Sequence, residues 1–153
     1  MWNISGVDPA AYIALYPECN TSFMGDTDVS DHPIRMFHGL SDDWVPIGSC
    51  RAYFARLQHT AKDVQMVEYP DTSHAFDYPN VSPTPISVAN AQAMLCSLKE
   101  EPIGTILNTE TQKPFSYSDD CVKRSPHIAY SAASTHSTED TVKSLLKAAF
   151  KLQ

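Results

Sequence analysis

The sequence predicts an α/β fold built on parallel strands, and three stretches carry that prediction. Ile34-Arg35-Met36-Phe37 is a short β-branched and aromatic run bounded by turn signals, which marks a buried strand. Ile47, Cys50, Tyr53, Phe54 and Leu57 then recur at helical spacing, the pattern of an amphipathic helix. Val64-Gln65-Met66-Val67-Glu68-Tyr69 follows as a second strand. Strand, helix and strand make a βαβ unit, so both strands end at the same sheet edge. The loops His38–Pro46 and Asp71–Asp77 leave from that edge.

Taken in order, the chain opens with a strand over Tyr12 to Leu15, stopped by Tyr16-Pro17. Asn20 to Pro33 is polar, with Gly25, Asp26, Asp28, Ser30 and Asp31, and reads as a surface connection. Asp63 interrupts the apolar pattern between the helix and the second strand of the βαβ unit. Pro79, Pro83 and Pro85 bar a long helix or central strand from Tyr78 to Pro85. Ser87 to Leu98 is apolar enough for a helix or the approach to one. From about 94 to 127 the chain reads as an irregular or hairpin segment, with Phe115 to His127 loop-like. Val142, Leu145, Leu146, Ala149 and Phe150 then define a terminal helix, with Ser137 or Thr138 as its cap and Glu139 and Asp140 in its first turn. Neither repeats nor a linker divide the chain, so residues 1–153 form one domain.

Composition narrows the function classes. At 153 residues, 42% hydrophobic and 19% charged, the chain can bury a core. A formal charge of -7 argues against nucleic acid and anionic membranes as partners. Nowhere do about 18 apolar residues run together, so no membrane-spanning helix is expected. The start of the chain lacks the basic and apolar regions of a secretory signal. Cys19, Cys50, Cys96 and Cys121 lack metal-site spacing. Cys19 and Cys50 fall near one sheet edge, and Cys96 and Cys121 can pair likewise. Disulfides would place the protein in a periplasmic or secreted compartment, and free thiols would suit the cytoplasm. Asn3, Asn20 and Asn80 open Asn-x-Ser/Thr sequons.

The loops at the sheet edge carry the chemistry. Asp42 lies in Gly39-Leu40-Ser41-Asp42-Asp43-Trp44-Val45-Pro46 and His74 in Ser73-His74-Ala75-Phe76-Asp77. Parallel strands bring the two loops together, and a carboxylate beside an imidazole is the acid–base pair of a catalytic triad. As a plain alternative, Asp42 is a turn carboxylate and His74 a solvated loop histidine. Asp43 is the rival acid. Trp44 and Phe76 flank the pair and either line a substrate pocket or pack in the core. Arg35 and Arg51 suit the surface, and Cys50, near a helix start, is a remote candidate nucleophile.

These words, with Ala11-Tyr12-Ile13-Ala14-Leu15-Tyr16-Pro17, Met36-Phe37-His38-Gly39, Cys50-Arg51-Ala52-Tyr53 and Glu68-Tyr69-Pro70, resemble the dienelactone hydrolase family of the α/β-hydrolase superfamily. The resemblance implies Asp42 as triad acid, His74 as triad base, a carboxylic ester or lactone as substrate, and no cofactor or metal. One element of the pattern is missing. None of Gly6, Gly25, Gly39, Gly48 and Gly104 brackets a Ser or Cys as Gly-x-Ser-x-Gly does. The elbow strand belongs before Tyr12, so the chain is expected to be the C-terminal part of the fold, inactive alone. Two outcomes follow: a hydrolase part that needs its N-terminal half, or a non-catalytic remnant that binds or self-associates through the bare sheet edge.

Overall fold

The computed structural model describes residues 9–60 and 63–152, leaving out the side chain of Ile103. The central sheet holds β1 (Tyr12–Leu15), β3 (Ile34–Gly39) and β4 (Val64–Tyr69), ordered β1-β3-β4 and parallel throughout. All six residues of β3 are buried, as a central strand covered on both faces requires. Its side chains alternate between two layers. Ile34 and Met36 pack with Cys50, Leu57 and Val64 against α1 (Ile47–Gln58). Phe37 joins Tyr69 and Phe76 in a second cluster that reaches Val142 of α2 (Ala132–Phe150). The Arg35 guanidinium closes the start of the βαβ unit with two bonds to the Asp63 carboxylate, at 3.0 and 2.9 Å.

The predicted α2 begins earlier than its apolar stripe. Ser131 caps it, accepting a hydrogen bond from the Ser134 amide at 3.3 Å. The first turns turn hydroxyls inward, Ser134 to Thr72 and Thr138 to Tyr69, both at 2.8 Å. Apolar periodicity is blind to such a face, so Ser137 and Thr138 fall within the helix and not at its cap, and Glu139 and Asp140 lie beyond the first turn.

The rest of the chain forms small, mostly antiparallel sheets. β2 (Thr21–Ser22), β7 (Leu98–Glu101), β8 (Thr105–Asn108) and β9 (Lys113–Pro114) make one, ordered β2-β7-β8-β9. β7 and β8 are the hairpin, turned by a 3-10 segment, Pro102–Gly104. β5 (Ile86–Ser87) pairs with β11 (His127–Ile128), and β6 (Gln92–Met94) with β10 (Val122–Arg124). Ser87 to Leu98 is therefore strand and turn, not helix: its amides bond across to the 121–126 stretch, as Val88 does to the Pro126 carbonyl at 2.8 Å. The 115–127 stretch likewise contributes strands to these pairs. Among the described residues the parallel pairs are those of the central sheet, β2–β7 and an isolated bridge between His74 and Ile128.

Both cysteine pairs are disulfides, Cys19–Cys50 and Cys96–Cys121. Asn20 is buried, with its side-chain amide donating to the Met94 carbonyl at 3.0 Å, so this part of the polar connection is interior and its sequon closed. Among the described residues no helix is long and apolar enough to cross a membrane.

Candidate active site

The site sits where β1, β3 and β4 end. Beyond β3 the chain turns at Gly39, where a Cβ would overlap the Thr72 carbonyl of the histidine loop. That close approach lets the Ser41 amide donate to the same carbonyl at 3.0 Å and the Leu40 amide to Tyr69 at 2.9 Å. The two loops are thereby zipped together at their base.

Asp42 then serves two purposes. Its Oδ1 accepts the amides of Trp44 and Val45, at 2.9 and 2.8 Å, which is the turn chemistry an aspartate offers its own backbone. Its Oδ2 lies 2.9 Å from His74 Nδ1. A carboxylate only accepts, so Nδ1 carries the proton and the lone pair is left on Nε2. The Asp42 side chain has no exposed surface, whereas that of His74 keeps 16%. A fully desolvated carboxylate holding a partly open imidazole is the arrangement of a triad's acid and base.

Around this pair the loop is braced. His38 donates from Nε2 to the Val45 carbonyl at 2.7 Å, and its Nδ1 is buried with no partner among the described residues. It is packed and hydrogen-bonded, as its place at a strand end suggests. The rival Asp43 points elsewhere: Oδ1 accepts the His127 amide at 2.9 Å and Oδ2 meets His127 Nδ1 at 2.7 Å. The His127 strand also reaches the other loop, through the Ala129 amide on the His74 carbonyl at 3.1 Å.

Two aromatic rings touch the imidazole. Trp44, half-buried, stands 4.9 Å from it between centroids, and Tyr16 stands 4.4 Å away. Phe76 is fully buried between Tyr16 and Tyr69, so it is a core residue with no surface to offer a substrate. Tyr16 is the residue missed in the sequence. It donates to Asp77 at 2.8 Å, and burial, with that carboxylate, pushes its phenol up to about 12. The available signal was positional: β1 is parallel to β3, so the residue ending it lands beside both loops.

The remaining candidates lie away from the dyad. Arg35 is engaged by Asp63, and Arg51 by Glu68 at 2.8 Å from Nε. Both arginines hold their partner carboxyls below the usual range. Cys50 is fully buried in its disulfide and is no nucleophile.

Residues 5–90, more than half of the chain, match the profile of the prolyl oligopeptidase family. No curated protein sequence matches. Among solved structures, Thermogutta terrifontis esterase 2 phosphorylated by paraoxon is 24% identical, with a TM-score of 0.29 over 30% of this chain and 18% of that one. Esterase PE8 is 19% identical, with a TM-score of 0.36 over 45% of this chain and 33% of that one. This chain therefore spans less than a fifth of the first esterase and a third of the second.

Proposed function

The chain belongs to the prolyl oligopeptidase family, of α/β-hydrolase fold, and we propose that it supplies the acid and base of a serine-hydrolase-type triad. The observation that carries this reading is the bond from His74 Nδ1 to a fully buried Asp42. In the reaction, His74 Nε2 takes the proton of an attacking hydroxyl or thiol as that group adds to the substrate's acyl carbon. The Asp42 carboxylate stabilises the imidazolium so formed. His74 then returns the proton to the leaving oxygen, the acyl–oxygen bond breaks, and water repeats the cycle on the acyl-enzyme.

The substrate proposed is a small carboxylic ester or lactone, with Trp44 as a wall beside the base. The narrower likeness to dienelactone hydrolases rests on the sequence words alone, since the profile match is to prolyl oligopeptidases within the same superfamily. Because the 153 residues hold no Gly-x-Ser-x-Gly elbow, the nucleophile is assigned to a segment outside them. Strand β1 pairs with β3 alone among the described strands, so its free edge is where an elbow strand would add. The same edge favours the second reading, a non-catalytic module that self-associates there. Two disulfides suit an oxidising, periplasmic or secreted setting.

Supplying the chain with the N-terminal part of a family member, by fusion or co-expression, tests the reading. Turnover of p-nitrophenyl acetate should appear, and Asp42→Asn or His74→Ala should lower kcat roughly 10³-fold or more. Turnover that survives His74→Ala contradicts the assignment.

A further inference from the structure

We propose that Tyr16 is a positioning residue for His74, tied down by Asp77 so that its ring fixes the plane of the imidazole. The proposal rests on reading Asp42 and His74 as acid and base. Several separate features converge on Tyr16. Its φ is 37°, a left-handed conformation that a bulky side chain adopts only under constraint. Such strain persists where the surroundings over-determine it, and it gathers at functional sites. The constraints here are visible. The Tyr16 amide donates to the Phe37 carbonyl at 2.7 Å, holding the end of β1 against β3. Its hydroxyl donates to Asp77 Oδ1 at 2.8 Å, across 61 residues. Between those two anchors the ring lies 4.4 Å from His74, inclined at 57° to it.

The imidazole needs such a support. Its bond to Asp42 holds one ring atom only, and swinging about the outer torsion carries Nδ1 off Oδ2 and misdirects Nε2 together. The outer torsion of histidine is broad and resists such swinging weakly. Misdirection of Nε2 by a small angle would spoil proton transfer, which demands close alignment. The neighbouring Tyr16 ring restrains the swing. Raised to about 12, the Tyr16 phenol remains a protonated donor to Asp77 wherever His74 works. Ala75, the residue after the base, has a φ of 58° and is held in the same unusual region.

Side-chain ¹H–¹⁵N spectra of the isolated chain test this. Wild type should show His74 as its Nδ1–H tautomer, with a downfield Nδ1 proton. Tyr16→Phe and Asp77→Ala each cut the tie while leaving the core filled, and both should lose that proton signal. Asp77→Asn, whose amide oxygen still accepts, should keep it. Tyr16→Leu, which removes the ring, should lose it too. Asp42→Asn should abolish it regardless, which checks the dyad itself. If Asp42→Asn abolishes the signal while Tyr16→Phe, Asp77→Ala and Tyr16→Leu retain it, Tyr16 is only a packing residue and the dyad stands. If wild type lacks the signal, or Asp42→Asn retains it, the dyad reading fails and takes this proposal with it.

Discussion

A carboxylate with no exposed side-chain surface must find donors, and Asp42 finds three: two loop amides on one oxygen and His74 on the other. One Asp42 oxygen thus makes the turn bonds and the other meets the imidazole, the contact on which the proposed acid role rests. The arrangement depends on how closely the acid loop approaches the histidine loop, and Gly39 sets that distance. A Cβ there meets the Thr72 backbone, not a yielding side chain. Gly39→Ala should therefore cost about 2–3 kcal/mol in urea unfolding, the range for overpacking a tight contact. A loss under about 0.5 kcal/mol would mean the loops part easily. Asp42 and His74 were legible because parallel strands deliver their loops to one edge. Tyr16 was not, because a strained φ and a hydroxyl partner 61 residues away leave no periodic trace.

Among the elements, β1, β3, β4 and α1 match their sequence patterns: β3 is buried along its whole length, β4 is buried at Val64 and Tyr69, and α1 turns Cys50 and Leu57 into the core. The stretch from β5 to β11 was hard to read because every described strand in it is two to four residues long, too short to show alternation. Tertiary ties hold it, including the Cys96–Cys121 disulfide and the Leu98 amide on the Asn20 carbonyl at 2.8 Å. Cys19–Cys50 similarly staples the chain after β1 to the first turn of α1. With sequence separations of 31 and 25, each bridge should contribute ~3.5 kcal/mol through the unfolded chain. Urea unfolding of Cys19→Ala/Cys50→Ala and Cys96→Ala/Cys121→Ala measures this, and an unchanged midpoint in both would show that the bridges do not stabilise the fold.

Among the described residues, a three-stranded parallel sheet carries α1 on one face and α2 on the other, with the Asp42–His74 pair at its strand ends. A segment of small sheets returns through His127 and Ala129 to brace both loops of the dyad. Acid and base are proposed for this chain and the nucleophile for another segment. Hydrolysis of p-nitrophenyl acetate by the purified 153-residue chain, beside its His74→Ala variant, tests that division most directly. The predicted result is that the two are indistinguishable, with no burst of acyl-enzyme. A burst followed by steady turnover, both abolished by His74→Ala, would contradict it and locate a nucleophile within the chain.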